Sequence, residues 1–351
     1  MSAEQKKPKV YFLPWEARER LPELVEKSGA LGVVREGDIT AVKMHFGERG
    51  GDGYIRPEFA KPIVAMIAGR KASPFLTDTG TIYHGERSNA VGHLKVAADH
   101  GFTHEAVGAP IIIADGVRGD DCNEVPIDGE HYKGVHIAAG ILRADSMIAL
   151  SHFKGHLVAG FGGAIKNLGM GCGSRKGKFA MHSGVSPVVD AEACVGCGEC
   201  VARCAHGAMT LDDGSARLDT AKCVGCGECV LVCDYGALNL RWSRNTAAVQ
   251  ERFAEYALGA VKGKRVFFIN FLNHITPNCD CLGEKEEPIA PDIGILASMD
   301  PVAIDQACID LVHRRAGDAI EKAHPGIDNT VQLSHAEKIG LGKRNYELVA
   351  L

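Results

Sequence analysis

The chain has 351 residues with a formal net charge of −5, 46% of them hydrophobic and 24% charged. This is globular composition, long enough for about two domains or for one domain with an insertion. It excludes a wide basic face for nucleic acid, and no apolar run approaches the roughly 20 residues of a membrane helix.

The polar opening MSAEQKKPKV has no signal-peptide core, so a cytoplasmic location is expected. Apolar runs at 10–13, 39–46, 74–80, 109–116 and 144–153 read as strands. Spaced apolar residues at about 16–28, 57–70 and 88–100 read as helices between them. Further on, 246–260 and 301–315 read as helices and 265–272 and 292–298 as strands. Asp300 before Pro301 is a good N-cap followed by proline at the first helical position. Such alternation predicts an α/β body on a mixed or parallel sheet. Its N-terminal part is expected at 1–187, an inserted α+β module at 188–241, and its C-terminal part at 242–351. LTDTG at 76–80 contains the aspartic-protease triplet, but a single copy after a strand reads as an ordinary α/β turn.

Thirteen cysteines in a reducing compartment point to metal ligation, not to disulfides. CVGCGECV stands at 194–201 and again at 223–230, an offset of 223 − 194 = 29 residues. The copies run Cys194, Cys197, Cys200, Cys204 and Cys223, Cys226, Cys229, Cys233. Two-residue gaps let one tight loop aim three thiolates at three corners of an iron–sulfur cubane, and the glycines free backbone N–H groups toward sulfur. Paired CxxC units also bind zinc, which needs four thiolates per site and leaves the third CxxC step unexplained. The stretch 188–241 resembles a bacterial two-cluster [4Fe–4S] ferredoxin, down to the Gly-Ala-apolar continuations CAHGAM and CDYGAL. It departs from that pattern at Ala205 and Asp234, where proline is usual. The resemblance implies two [4Fe–4S] clusters with crossed ligation. One would take Cys194, Cys197, Cys200 and Cys233, and the other Cys223, Cys226, Cys229 and Cys204.

The stretch SHFKGHLVAGFGGAIKNLGMGCGSRKGKFAMHS (151–183) sets His152, His156, His182, Lys154, Lys166, Arg175, Lys176, Lys178 and Cys172 among eight glycines. Dense glycine weakens regular structure and suits close approach of backbone to a ligand, so the stretch reads as a site loop. Gly160, Gly162, Gly163, Lys166, Arg175 and Lys176 are the candidate cofactor or anion contacts. His182 is a candidate metal ligand, since a neutral imidazole can ligate metal or shuttle protons. A flexible loop with solvated charges is the competing reading. In NHITPNCDC (273–281), Cys279 and Cys281 read as a soft-metal chelate or as two reduced thiols. Cys122 and Cys308 have no partners in sequence.

The whole chain resembles the domain-of-unknown-function family 362 through GGAIKNLGMGC, the following HS, the double ferredoxin motif, CDC (279–281), DIGILAS and DPVAIDQAC (300–308). HLVAGFGGAIK is similar to the cofactor loop of the nickel-pincer lactate racemase family, and TGTIYH (79–84) to its T-G-T-H segment with two extra residues before His84. This second resemblance implies that Lys166 anchors a nucleotide-derived pincer, that His182 ligates a metal, and that His84 and His156 are an acid/base pair. That family performs no net redox chemistry and has no clusters, so its reaction does not carry over. An additional metal (nickel, iron or zinc) or a nucleotide-derived cofactor is thus expected beside the clusters.

Together these readings predict an iron–sulfur oxidoreductase whose clusters relay electrons to or from a His/Lys-lined site in the α/β body. Expected partners are a redox protein (ferredoxin, flavodoxin or reductase) and an anionic small molecule, with neither nucleic acid nor membrane. A non-enzymatic electron carrier, a cofactor maturation factor and a metal-handling protein are the alternatives.

Overall fold

The computed structural model describes residues 7–83, 85–182, 186–223, 227–240, 246–281 and 283–351. His84 and Cys226 lie outside the described residues. Strands buried on both faces read as continuous apolar runs, and RVFFINFL and SMIALSH are such runs. Met147 and Ala149 enter one core and Ile148 and Leu150 the other. Likewise Val266 and Phe268 oppose Phe267, Ile269 and Phe271.

These strands lie at the centre of an eight-stranded mixed sheet. Its order is Glu347–Ala350, Lys9–Pro14, Gly294–Ser298, Arg265–Leu272, Ser146–His152, Ile39–Lys43, Ser73–Asp78 and Ile111–Ile113. Gly294–Ser298 runs antiparallel to both its neighbours, and the remaining pairings are parallel. The fold class is therefore α/β with a mixed, mainly parallel sheet. Strands from both sides of the cysteine-rich stretch share it. The registers Phe271↔His152, Lys43↔Ala149 and Lys43↔Thr77 bring four carboxyl ends to one edge.

The helices Thr246–Val261 and Pro301–Ala316 cover one face, and Leu21–Lys27 and Pro57–Gly69 the other. Asp300 caps Pro301–Ala316 by accepting N–H bonds from Val302 and Ala303. Several expected elements come out shorter, among them 39–46, whose strand ends at Lys43. The 109–116 strand is reduced to Ile111–Ile113, and 16–28 splits into a 3-10 turn, Trp15–Arg20, and the helix Leu21–Lys27 with a proline in its first turn.

The glycine-rich stretch is not a loop. It forms a small hairpin (Lys154–His156 with Gly160–Gly162) and two helices, Ala164–Cys172 and Arg175–Met181. Helix packing accounts for part of its glycine content. A Cβ on Gly169 would strike the Phe253 carbonyl, and one on Gly177 would strike the His136 carbonyl and the Tyr256 ring.

Within 186–240, Pro187–Val189 pairs with Leu238–Leu240, so the chain enters and leaves this segment side by side. A hairpin, Met209–Asp212 with Ser215–Leu218, lies between them. The sequence repeat returns as a structural one. Gly198 (φ 80°) precedes the helix Glu199–Arg203, and Gly227 (φ 75°) precedes Glu228–Leu231. Among the described residues no helix is long and apolar enough to cross a membrane.

Candidate functional site

A pocket of about 510 Å³ opens where the parallel strands end. Loops beyond the carboxyl ends of parallel strands are where α/β proteins build sites. Lys43 and His45 come from the end of one strand, Asp78 and Arg87 from the next, His152 to Lys166 from the third, and Cys279 and Cys281 from the fourth. Leu150, Ile82, Met170 and Phe253 give it apolar walls.

Cations crowd this space. Lys43 pairs with Asp78 at 3.0 Å and donates to Asn167 at 2.7 Å, with both members of the ion pair buried. Arg87 pairs with Glu48 at 2.9 Å. Lys154 donates to Asp280 at 2.8 Å, and that carboxylate also meets His152 Nδ1 at 2.9 Å. Burial opposes ionisation of Asp280, but His152 and Lys154 hold its carboxyl well below the usual range. Lys178 donates to Thr79 Oγ1 and to the Gly80 carbonyl, and burial draws its ammonium down to about 8. Lys166 Nζ donates to Cys279 Sγ at 2.8 Å. Burial would lower the Lys166 pKa, but the neighbouring sulfurs of Cys279 and Cys281 raise it.

The two sulfurs stand 3.0 Å apart. Their mutual hydrogen bond lowers Cys279 well below the ordinary thiol range, with Lys166 adding to the effect, and raises Cys281 well above it. Cys281 Sγ is 3.4 Å from His45 Nε2, and His45 Nδ1 accepts the Gly47 N–H at 2.7 Å. The same Nε2 also faces the Arg87 guanidinium at 3.2 Å, so both ring nitrogens of His45 meet N–H donors. His156 carries its proton on Nε2, because Nδ1 accepts from Val158 and Ala159 at 3.2 and 3.1 Å. Burial, reinforced by Lys166 and His182, keeps His156 far below its ordinary pKa. It is therefore a neutral hydrogen-bond donor at Nε2. Burial and then Lys166 bring His182 to about 4.

Of the candidates read from sequence, Lys166, His156, His182, Gly162, Gly163, Cys279 and Cys281 line this one pocket. Gly160 is not among its lining residues; it packs against Asn329. Nor are Arg175 and Lys176. Arg175 donates to the Thr81 carbonyl at 2.9 Å, and Lys176 is exposed. Ser174 caps their helix, and the helical period turns Lys178 and His182, four residues apart, toward the pocket instead. The N-terminus of Ala164–Cys172 is not open to a ligand. Asp305 accepts the N–H groups of Ala164 and Ile165 at 2.7 and 2.9 Å.

The repeat cysteines gather around two smaller cavities. Cys194, Cys197, Cys200 and Cys233 line one, and Cys204, Cys223 and Cys229 line the other. Backbone N–H groups reach sulfur at Cys194 (Ala216 N, 3.3 Å) and Cys204 (Ala208 N, 3.2 Å). All-thiolate rings with N–H donors on the sulfurs fit a [4Fe–4S] cubane. Among the described residues no group of three or more His, Cys, Asp or Glu stands close enough to hold one metal ion.

One helix joins the cavities to the pocket. Lys178 and His182 line the pocket, while Phe179 is fully buried in the small core with Cys200, Cys229 and Met209. Sequence reasoning passed over Lys43, His45, Glu48, Asp78 and Arg87. For the first four the signal was position, at or just beyond the carboxyl ends of Ile39–Lys43 and Ser73–Asp78, whereas Arg87 arrives from the later 3-10 turn Glu86–Ser88.

Fold and site define an α/β protein with a cation- and thiol-lined pocket at the carboxyl edge of its sheet, beside a cysteine-rich unit. The family model for a domain of unknown function, DUF362, matches residues 40–310, and the chain belongs to that family. No curated protein matches it. Among solved structures it is similar to the lactate racemase apoprotein from Thermoanaerobacterium thermosaccharolyticum, at 13% identity and a TM-score of 0.40, covering 77% of this chain and 52% of that one. It is also similar to a Thermotoga maritima protein at 11% identity and a TM-score of 0.41, covering 85% of this chain and 58% of that one. The chain thus spans a little over half the length of these two proteins.

Proposed function

We propose that this protein is a cytoplasmic iron–sulfur oxidoreductase, with residues 188–241 inserted into the α/β body as a two-cluster ferredoxin-like module. The observation that carries the reading is the shared helix Arg175–Met181, which packs Phe179 against the cysteines while Lys178 and the following His182 face the pocket. Residues 179 and 182 are three apart, about 5 Å of helix rise. Two [4Fe–4S] clusters, when bound, supply single electrons. Cys194, Cys197, Cys200 and Cys233 would hold one, and Cys204, Cys223, Cys226 and Cys229 the other.

The pocket residues do the rest. Lys154, Lys166, Lys178 and Arg87 favour an anionic substrate, held in a site whose apolar walls exclude water. His156 donates from Nε2, and the neutral His182 nitrogen accepts a proton or a metal. A separate redox protein exchanges electrons with the cysteine module. The test is anaerobic purification with iron and acid-labile sulfide assays and spectra before and after dithionite reduction. Cubane iron with a reducible spectrum supports the reading. Two zinc ions without labile sulfide overturn it.

A further inference from the structure

The thiol pair Cys279 and Cys281, set between Lys166 and His45, has no role yet in the electron-relay reading. It is built for reactivity. Cys279 is 5% exposed, yet its sulfur lines a pocket whose rim residue Leu157 is 43% exposed. An ammonium donates to that sulfur from one side at 2.8 Å and a second thiol approaches it from the other at 3.0 Å. The partner thiol lies in turn 3.4 Å from the His45 imidazole, itself 3.2 Å from the Arg87 guanidinium. Reactive cysteines occupy electropositive microenvironments of this kind, whereas structural cysteines sit in apolar ones. Cys308 is the contrast: it is fully buried among apolar side chains with no cation acting on it, and burial raises its thiol.

We propose that Cys279 and Cys281 are a redox-active dithiol that reduces small anionic disulfides drawn into the pocket. Cys279 Sγ attacks one sulfur of the substrate. A mixed disulfide forms, the substrate S–S bond breaks, and one anionic thiolate leaves. Cys281 Sγ then attacks Cys279 Sγ. The intramolecular disulfide forms, the mixed disulfide breaks, and the second substrate thiolate departs with the proton from Cys281. Lys166 stabilises the Cys279 thiolate before attack and after reduction. Two electrons and one proton return the pair to thiolate plus thiol. This last half rests on the proposed function, in which two one-electron carriers stand beside the pocket.

Anaerobic full-length protein is mixed with 5,5′-dithiobis(2-nitrobenzoate), an anionic disulfide, and in parallel with cystamine, a cationic one. The expected result is a burst releasing two nitrothiobenzoate anions per chain, at least about tenfold faster than reaction with cystamine, as a cation-lined cleft would give. In Cys281→Ser the burst stops at one anion, and mass spectrometry finds the adduct on Cys279. In Cys279→Ser the burst disappears. Lys166→Met keeps the volume, removes the amine, and slows the burst by about tenfold, the effect of one pKa unit on a thiolate. A burst that survives in Cys279→Ser, or cystamine reacting as fast, overturns the proposal. Iron content separates the two readings. Eight-iron protein without the burst sinks the dithiol alone. Zinc-loaded protein with the burst sinks the electron relay and leaves the dithiol standing.

Discussion

Lys178 and Phe179 are consecutive, yet they face different chambers. Lys178 reaches Thr79 and the Gly80 carbonyl just beyond the strand Ser73–Asp78, while Phe179 is wedged beside Gly227 at the second cysteine motif. A helix puts neighbouring side chains about 100° apart, so one short helix can serve two cores at once. The only requirement is that both neighbours tolerate the approach. Gly227 meets it by having no Cβ.

Gly227→Ala is expected to be strongly destabilising for two reasons that add. The residue has φ 75°, and a Cβ there would run into the Phe179 ring. Left-handed backbone costs about 1–2 kcal/mol outside glycine, and overpacking about 1–3 more. Chemical denaturation should show a loss of about 2–5 kcal/mol. Adding Phe179→Leu should restore part of it. A loss that the second substitution does not change would mean that the Phe179 contact is unimportant.

Crossed ligation has its own signature. Cys204 lies in the first sequence copy but lines a cavity with Cys223 and Cys229 of the second. Cys204→Ala should therefore lower iron by about half, from about eight to about four per chain. The surviving cluster should be the one around Cys194, Cys197, Cys200 and Cys233. If the additional substitution Cys197→Ala leaves that surviving signal unchanged, the pairing assumed here is wrong.

Much of the sheet was legible because its strands are doubly buried. RVFFINFL and ADSMIALSHF can hardly be anything else, and the N-cap at Asp300 fixes the start of the helix Pro301–Ala316. The helices Ala164–Cys172 and Arg175–Met181 were not legible. Gly169, Gly171, Gly173 and Gly177 lower helix propensity, and their reason lies in Phe253, Lys43, Tyr256 and His136, residues distant in sequence. The site was half legible for a similar reason. Lys166, His156 and His182 stand in a single dense stretch, but Lys43, His45 and Arg87 reach them only through strand order.

The Lys43–Asp78 pair carries a large stability effect. Both side chains are almost inaccessible, at 1% and 5%, and the ammonium sits 3.0 Å from the carboxylate. Removing one partner of such a pair strands the other charge, at about 3–5 kcal/mol. Asp78→Ala should cost about that much in urea denaturation. The double variant Lys43→Met, Asp78→Ala should recover a good part of it. A cost below about 1 kcal/mol for the single change would show that water reaches Lys43 freely.

Asp305 offers a test by pH. Its carboxylate caps the helix that carries Lys166, accepting from the backbones of Ala164 and Ile165 and from Asn270 Nδ2 at 2.7 Å. Burial nevertheless dominates and raises it from 3.8 to about 6. The folded protein thus binds this proton more tightly than the unfolded chain does. The stabilisation from that proton is fully present below about pH 4 and is lost as the pH rises through about 6. Asp305→Asn cannot ionise and lacks this dependence. It also loses an acceptor, because its amide nitrogen must face one of the two N–H groups. The stability gap between parent and variant should therefore shrink by about 2 kcal/mol from pH 4.5 to pH 7, at 1.36 kcal/mol per pKa unit. Urea denaturation of both proteins across that range measures it. A gap that widens with pH would mean that the three donors outweigh burial, and that Asp305 is a carboxylate held below its ordinary range.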